Sequence, residues 1–216
     1  MKSKPGKDGS DVRAKLLDAA VRLFAEQGVA GTTVAEIARR AGVTSAMVHY
    51  YFKTKDQLLD AVVAEKLVGE FIAFVAGELD RGQPEPLALV EHLVWRIVDA
   101  SDAWPWLPPL WVREVISQGG ALREKLIQRV DLGKPERFKA GIAAAQKAGR
   151  VNPEINPQLT FMSIMALTML PLSMAKDWDR IPLIGRVSKP ELGRHVVALL
   201  QHGLAAAPAK TQGRKA

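Results

Sequence analysis

The residues best suited to molecular recognition lie in one short stretch, Thr44 to Tyr51. This stretch carries hydroxyl, thioether, imidazole and phenol groups, and none of them is charged while its single histidine is neutral. Short hydrogen-bonding groups and methyl groups suit the edges of bases in the major groove of DNA. We therefore expect a short helix that reads DNA. Its DNA-contacting residues are predicted to be Thr44, Ser45, Ala46, Met47, His49, Tyr50 and Tyr51.

Residues on either side of this stretch suit the DNA backbone. Thr33, Lys53 and Lys55 are predicted to contact phosphates, together with the free amides at the start of the helix near Lys55. Residues 1–55 hold ten lysines and arginines against five acidic residues, whereas the remaining 161 residues hold 20 against 18. A basic N-terminal quarter indicates a polyanionic partner. Charge alone fits a role in solubility equally well.

Two helices and a tight turn must position the stretch. Ala38 is small enough for a second helix to cross the first, and Gly42 supplies the turn. Ile37, Val43 and Val48 fill the wedge between the helices. The spacing of four residues from Ala38 to Gly42, and of six more to Val48, is what a helix-turn-helix requires. The alternative is an ordinary helical hairpin that carries aromatic residues on its surface.

The whole chain predicts an all-α fold of roughly nine helices, because apolar residues recur at helical spacing and no segment alternates like a strand. A capping box at Thr33 and Glu36 and another at Thr54 and Gln57 each begin a helix, the second running to about Leu79. The expected parts are a flexible basic arm over 1–11, a three-helix helix-turn-helix domain over 12–55, a helical ligand-binding and dimerisation domain over 56–204, and a disordered tail over 205–216.

The second domain collects the wide and pliable apolar side chains. All five tryptophans follow residue 90, and four of the six methionines fall within thirteen residues. Such groups suit a cavity for an apolar or aromatic ligand; methionines at this spacing also make an ordinary core, which is the favoured alternative for each residue taken singly. The predicted ligand-binding residues are Trp95, Trp104, Trp106, Trp111, Met162, Met165, Met169 and Trp178.

Two helices of this domain are the candidates for pairing two subunits. One spans Pro157 to about Trp178, with a kink expected at Pro171, and the other runs from Pro190 to about Leu204. Two helices from each subunit would form a four-helix interface. Packing of the same apolar stripes within one subunit is the alternative.

Enzyme chemistry finds little support in the sequence. Glu191, His195 and His202 share one predicted helix without a metal-ligand spacing, and no phosphate loop or nucleophile elbow occurs. There is no cysteine, so neither a thiolate metal site nor a disulfide is expected. We expect no cofactor and no metal, no membrane-spanning run and no secretory signal. A pocket enzyme and a nonspecific DNA coat stay as alternatives, although a coat should carry more basic residues on the second helix.

The combined pattern is similar to one known family. The segment from Thr33 to Leu58, TVAEIARRAGVTSAMVHYYFKTKDQL, resembles the DNA-binding domain of the TetR family of bacterial regulators. The likeness extends back over Leu16 to Gly28, with the pattern L-x-x-A-x-x-L-F-A-E-x-G, and covers about residues 12–60. Many members have tyrosine in place of His49; histidine still donates a hydrogen bond, but its contact would vary with pH. The stretch Leu107 to Val115 also looks like one found in some members.

The resemblance implies an all-α homodimer in the cytoplasm. Its C-terminal helices would bind a small molecule and pair the subunits, and its ligand-free form would repress transcription from a DNA operator. One reading helix per subunit implies an operator that is an inverted repeat. No membrane partner is expected.

Overall fold

The computed structural model describes residues 8–77, 85–131, 133–182, 185 and 187–205. Its regular elements are helices, and within those residues the one strand-like contact is an isolated antiparallel bridge between Val151 and Ala205. The all-α prediction is confirmed. The first helix begins at Asp8 instead of Val12, and residues 1–7 of the expected arm lie outside the described residues. So do residues 206–216 of the expected tail.

Three helices form the N-terminal domain: α1 (Asp8–Gln27), α2 (Val34–Ala41) and α3 (Ser45–Tyr51). Their apolar faces meet in one core, in which Leu16, Phe24, Ile37, Val48 and Leu58 are among the buried residues. Helices of eight and seven residues, such as α2 and α3, are too short to be stable alone. They therefore depend on this shared core for their position.

A long helix connects this domain to the rest of the chain. Its first segment, α4 (Lys55–Ala61), runs without a break through a π-helical stretch (Val62–Ile72) into α5 (Ala73–Ala76). The described helix ends at Ala76, and the expected end at Leu79 lies outside the described residues. The Thr54 hydroxyl accepts a hydrogen bond from the Gln57 amide as expected. The Gln57 side chain, however, accepts from the Lys53 amide instead of closing the box at Thr54.

The remaining helices make the second domain, here called the body. They pack around α10 (Pro157–Ser173), which contacts α6 (Pro86–Ala103), α7 (Leu107–Leu110), α9 (Gly133–Lys147) and α11 (Lys189–Leu204), while α7 also packs against α1. No helix within the described residues has both the length and the apolar character needed to cross a bilayer. The other elements are a π-helical stretch (Trp111–Ile116), α8 (Arg123–Ile127) and a 3₁₀ helix (Ala175–Arg180).

Two helices of the body have prolines close to one of their ends. Helix α7 begins at Leu107 and carries Pro108 and Pro109 in its first turn, where prolines have no intrahelical bond to lose. The helix from Pro157 ends at Ser173, and Trp178 lies in the following 3₁₀ helix. Pro171 lacks the N–H that an α-helix needs and stands two residues before that end.

The body helices pack closely where α6 meets α11. A Cβ atom added at Gly193 would lie 2.7 Å from the ring of Trp95, so only a glycine admits this ring. Trp95 of α6 thus packs directly against the backbone of α11 at Gly193. On α11, Val196 and Leu200 are buried within the subunit, whereas Leu199 is exposed.

We expect Gly193→Ala to destabilise the fold, because its methyl group would overlap the Trp95 ring. Overpacking of this kind typically costs about 1–3 kcal/mol, which urea unfolding followed by circular dichroism would measure. Gly203→Ala lies on the same helix with no atom within 4 Å of the added carbon, and it is the matched control. This control should keep its stability or gain slightly. Equal unfolding free energies for the two variants would contradict the packing described.

Candidate nucleic-acid interface

The turn between α2 and α3 has the geometry that the sequence indicated. Gly42 adopts a left-handed conformation with φ 71°, and its amide bonds the carbonyls of Ala38 and Arg39. The amide of Val43 bonds the Ala38 carbonyl at 3.0 Å. Ile37, Ala38 and Val48 are all buried. The two helices therefore cross over a small residue, as a helix-turn-helix requires.

Helix α3 presents an uncharged polar face to solvent. Ser45, Ala46, His49 and Tyr50 are exposed, and Tyr50 has 76% of its surface free. The Tyr50 ring stands edge-on to the half-buried ring of Tyr51, with 5.1 Å between centroids. Tyr51 thus packs against the core and supports a tyrosine that projects outward.

Two predicted DNA contacts also shape the helix ends. The Thr44 hydroxyl caps α3 by accepting from the Met47 amide at 3.4 Å, and Met47 is half-buried. Thr33 and Glu36 form the complete expected capping box at α2. Hydrogen bonds from the amide and hydroxyl of Thr33 hold the pKa of Glu36 below its usual range. Exposed Thr33 and Thr44 keep these positions at the surface, where phosphates could reach them.

The two predicted phosphate-binding lysines lie in different environments. Lys53 is exposed. Lys55 is half-buried, and its Nζ atom donates to the carbonyl oxygens of Val29 at 2.5 Å and of Thr32 at 2.6 Å. The structure thus gives Lys55 a structural role that the sequence did not suggest. Its phosphate contact stays a prediction, and any such contact would share the ammonium with these carbonyls.

Ion pairs join α1 to α2 and to the long helix. Both guanidinium nitrogens of Arg40 on α2 reach the Glu26 carboxylate on α1, at 2.6 and 3.1 Å. The Arg13 guanidinium makes a similar two-point contact with Glu65 of the long helix, at 2.5 and 2.6 Å, and lies 5.1 Å from the ring centre of Phe52. Partly exposed pairs of this kind stabilise weakly but fix orientation through their paired geometry.

One functional candidate was missed: Glu114, a buried carboxylate in the body. It belongs to the π-helical stretch and is only 6% exposed. One carboxylate oxygen accepts from the Val29 amide of the N-terminal domain at 2.9 Å, and the other accepts from the Ala121 amide at 3.1 Å. The sequence singled out the segment around Arg113 and Glu114 by resemblance alone, and it carries no spacing pattern that would place Glu114 against residue 29.

The predicted ligand-binding residues lie in different surroundings. Several are simply buried in the core: Trp106, Met165, Met169 and Trp178. Trp178 also donates from its indole to the Pro171 carbonyl at 3.1 Å. Trp95 packs against α11, as described above. Their part in ligand binding stays a prediction, and the core-packing alternative describes these five well.

Two other tryptophans lie against the long helix. Trp111 meets Phe71 edge-on with 5.5 Å between centroids, and Trp104 meets Phe74 at the same separation. Arg96 lies beside this second pair, with its guanidinium 3.4 Å from the centre of the Phe74 ring. One of its nitrogens donates to the Phe74 carbonyl, while its buried Nε atom has no hydrogen-bond partner. No ion pair to Arg96 occurs among the described residues.

Met162 lies apart from these groups, on the surface. It is 66% exposed and borders an open groove of about 350 Å³ between α9 and α10. The apolar part of the groove comes from Phe138 and Phe161, and its charged rim from Glu136 and Lys139.

Residues weighed for enzyme chemistry have structural roles or none that the structure reveals. Glu191 closes a capping box with Ser188 at the start of α11. His202 bonds the Ala198 carbonyl in the preceding turn. Among the described residues, no group of three or more metal-ligating side chains could hold a metal ion.

Comparison with known proteins decides the family. Residues 16–62 match the family described as bacterial regulatory proteins, tetR family. The chain is 30% identical over 159 residues to the transcriptional repressor KstR2 of Rhodococcus jostii (strain RHA1), which covers 72% of this chain and 74% of that protein. The chain belongs to the TetR family. This membership makes it a helix-turn-helix transcriptional regulator that binds DNA and not an enzyme, as the sequence predicted.

Solved structures of TetR regulators share the fold over nearly the whole chain. KstR2 of Mycobacterium tuberculosis superimposes with a TM-score of 0.69 at 20% identity, covering 90% of this chain and 95% of its own. AibR, in complex with isovaleryl coenzyme A and operator DNA, gives 0.68 at 19%, covering 87% and 97%. FadR of Bacillus subtilis, in complex with stearoyl-CoA, gives 0.65 at 20%, covering 88% and 98%.

The different settings of Tyr50 and Lys53 allow base readout to be separated from phosphate binding. On an operator obtained by selection, Tyr50→Ala should change the preferred base at the position it contacts by about 1–3 kcal/mol. Lys53→Ala should weaken binding to every sequence alike and reduce the salt-dependence slope by about one. Fluorescence anisotropy on single-base operator variants at several salt concentrations measures both. If Lys53→Ala changed base preference and Tyr50→Ala did not, the assigned orientation of α3 would be wrong.

Proposed function

We propose that this regulator is a homodimeric repressor that binds an inverted-repeat operator and is released from it by an acyl-coenzyme A or a similar amphipathic anion. The DNA-binding part of this proposal rests on one observation. Helix α3 presents an uncharged polar face to solvent, while the apolar faces of the helix-turn-helix are buried. Because it acts on DNA, such a repressor works in the bacterial cytoplasm.

The contacts with DNA divide between bases and phosphates. We assign base edges to Ser45, Ala46, Met47, His49 and Tyr50, whose groups are short, apolar or hydrogen-bonding. The DNA backbone would be contacted by Thr33, Thr44, Tyr51, Lys53 and Lys55. Of the two lysines, Lys53 is the exposed one. A nonspecific DNA coat is disfavoured because α3 carries no lysine or arginine.

The dimer would form through α10 and α11. Helix α10 is apolar on nearly every face, and such a helix is normally covered all round. Yet Leu159, Met162, Leu167 and Leu170 stay exposed on it, and Leu199 is exposed on α11. A second copy that laid the same two helices against these would cover both in a four-helix interface.

The effector would enter among the aromatic side chains beside the long helix. AibR and FadR, which share this fold, each bind an acyl-coenzyme A. In this chain, Trp104, Trp111, Phe71 and Phe74 offer apolar surface for an acyl group. Arg96 offers a guanidinium whose Nε atom is buried without a partner, which favours an anionic group nearby. The sequence alone predicted an apolar or aromatic ligand. The position of Arg96 favours, within that class, a ligand that joins an apolar group to a negative charge.

Operator symmetry tests the dimeric arrangement. Selection from a random pool of duplex DNA should enrich an inverted repeat, with half-sites separated to match two α3 helices on successive major grooves. Both half-sites should be protected together in footprinting. Enrichment of single or directly repeated half-sites would contradict the proposed dimer.

Ligand binding tests the effector class. Isovaleryl-, octanoyl- and stearoyl-coenzyme A, with coenzyme A and octanoate as controls, are titrated while tryptophan fluorescence and operator binding are followed. At least one acyl-coenzyme A should quench fluorescence and release the operator, whereas either half alone should do so weakly. Arg96→Gln should weaken this binding about tenfold or more, as expected for losing a hydrogen bond from a charged group.

Lys139→Gln provides the control for the Arg96 variant, because Lys139 borders the surface groove between α9 and α10. It should leave acyl-coenzyme A binding unchanged. The reverse result, with Lys139→Gln weakening binding and Arg96→Gln neutral, would move the effector site to the groove. Tight binding that never lowers operator affinity would argue against release by this ligand class.

A further inference from the structure

We propose that Glu114 is the positioning residue through which the body fixes the orientation of the DNA-reading helices. The proposal rests on the DNA-binding function of the family and names a residue outside the DNA interface. It assigns no catalytic or ligand-contacting role to Glu114. The basis is a single residue, Val29, whose amide is bonded from the body and whose carbonyl is bonded from the start of the long helix.

Each carboxylate oxygen of Glu114 accepts a hydrogen bond from a backbone amide. The two oxygens accept from Val29 across the domain boundary and from Ala121 within the body, at 2.9 and 3.1 Å. It forms no ion pair with a lysine or arginine in the described part of the chain. A buried carboxylate needs such hydrogen bonds, because burial without them is costly. Undocking of the N-terminal domain would therefore leave one buried oxygen of Glu114 without its hydrogen bond.

The Val29 residue is bonded on its other side as well. Its carbonyl accepts from the Lys55 ammonium at 2.5 Å, and the same ammonium reaches the Thr32 carbonyl at 2.6 Å. The Thr32 hydroxyl donates back to the Gly28 carbonyl at 2.7 Å. This turn, residues 28–32, leads directly into the Thr33 cap of α2. Its orientation therefore sets where α2 begins and, through the Ala38 crossing, where α3 lies.

The segment that carries Glu114, residues 111–129, also contacts the long helix. From the segment's N-terminal end, Trp111 contacts Phe71. In its later part, on α8, Lys125 pairs with Asp56 at 2.7 Å and with Asp60 at 3.1 Å. Within the segment, the Leu122 amide bonds the Glu114 carbonyl at 3.2 Å.

The ion pairs at Asp60 strengthen this attachment above acidic pH. Hydrogen bonding from Lys125 holds the pKa of Asp60 below its usual range, and Arg129 adds a contact at 2.8 Å. A lowered carboxyl pKa stabilises the docked arrangement above the ordinary carboxyl range, and this contribution is lost as the pH falls through the lowered value. The segment of residues 111–129 thus bonds both to the turn before α2 and to the start of the long helix. Moving this segment would displace both attachments of the reading helices together.

Glu114→Gln tests the proposal with little change of shape. The amide keeps one acceptor oxygen but turns an NH₂ group toward a backbone donor, so one of the two bonds is lost. Operator affinity should fall about tenfold or more, equally for all operator variants, because a charged hydrogen bond is lost and no base contact changes. Hydrogen exchange should quicken over residues 28–33. Glu124→Gln, the same change at an exposed position on α8, is the control and should leave both measurements unchanged.

The outcomes separate this proposal from the function on which it rests. Failure of the unaltered protein to select any operator would count against the proposed function. Normal operator affinity and normal exchange in a folded Glu114→Gln variant would overturn the positioning role alone. If the variant does not fold, the rate of hydrogen exchange at the Val29 amide of the unaltered protein, measured by NMR, tests the proposal. Slow exchange of that amide supports the proposal, and exchange as fast as in an open loop overturns it.

Discussion

The shortness of α2 and α3 is the constraint on which the rest of the structure depends. Eight and seven residues make about two helical turns each, which do not hold together in isolation. A reading helix must nevertheless be rigid, because base contacts depend on its exact placement in the groove. Its rigidity is therefore supplied from outside. Three kinds of contact fix the position of the reading helix. They are the apolar core shared with α1, the Arg13–Glu65 pair between α1 and the long helix, and the bond from the Val29 amide to the Glu114 carboxylate of the body.

This dependence gives a physical basis for control by a ligand. An effector changes operator affinity only if it binds one arrangement of the domains better than another. Aromatic contacts at Phe71 and Phe74 place the long helix beside Trp111 and Trp104. Trp111 is three residues from Glu114, so a ligand that displaced this ring would act close to the bond that holds the turn before α2.

Sequence reasoning succeeded at most sites where local rules act, the exception being the capping box expected at Thr54 and Gln57. The capping box at Thr33, the tight turn at Gly42 and the burial of Ile37 and Val48 between the helices follow from short-range spacing, and all were predicted. It failed where the partner is distant in sequence. The bond between Glu114 and Val29 spans 85 residues, and the bonds that engage Lys55 reach back 26 and 23 residues. No periodicity records such contacts, so Lys55 was taken for a phosphate ligand alone and Glu114 was given no role.

If the body holds the reading domain in one orientation, the distance between the two reading domains of the proposed homodimer should show it most directly. The chain has no cysteine, so Arg22→Cys, at an exposed site on α1, gives one spin label per subunit. Double electron–electron resonance should give one narrow distance in the unaltered background and a broad distribution with Glu114→Gln. The same narrow distance in both proteins, with operator affinity lost only in the second, would contradict the account.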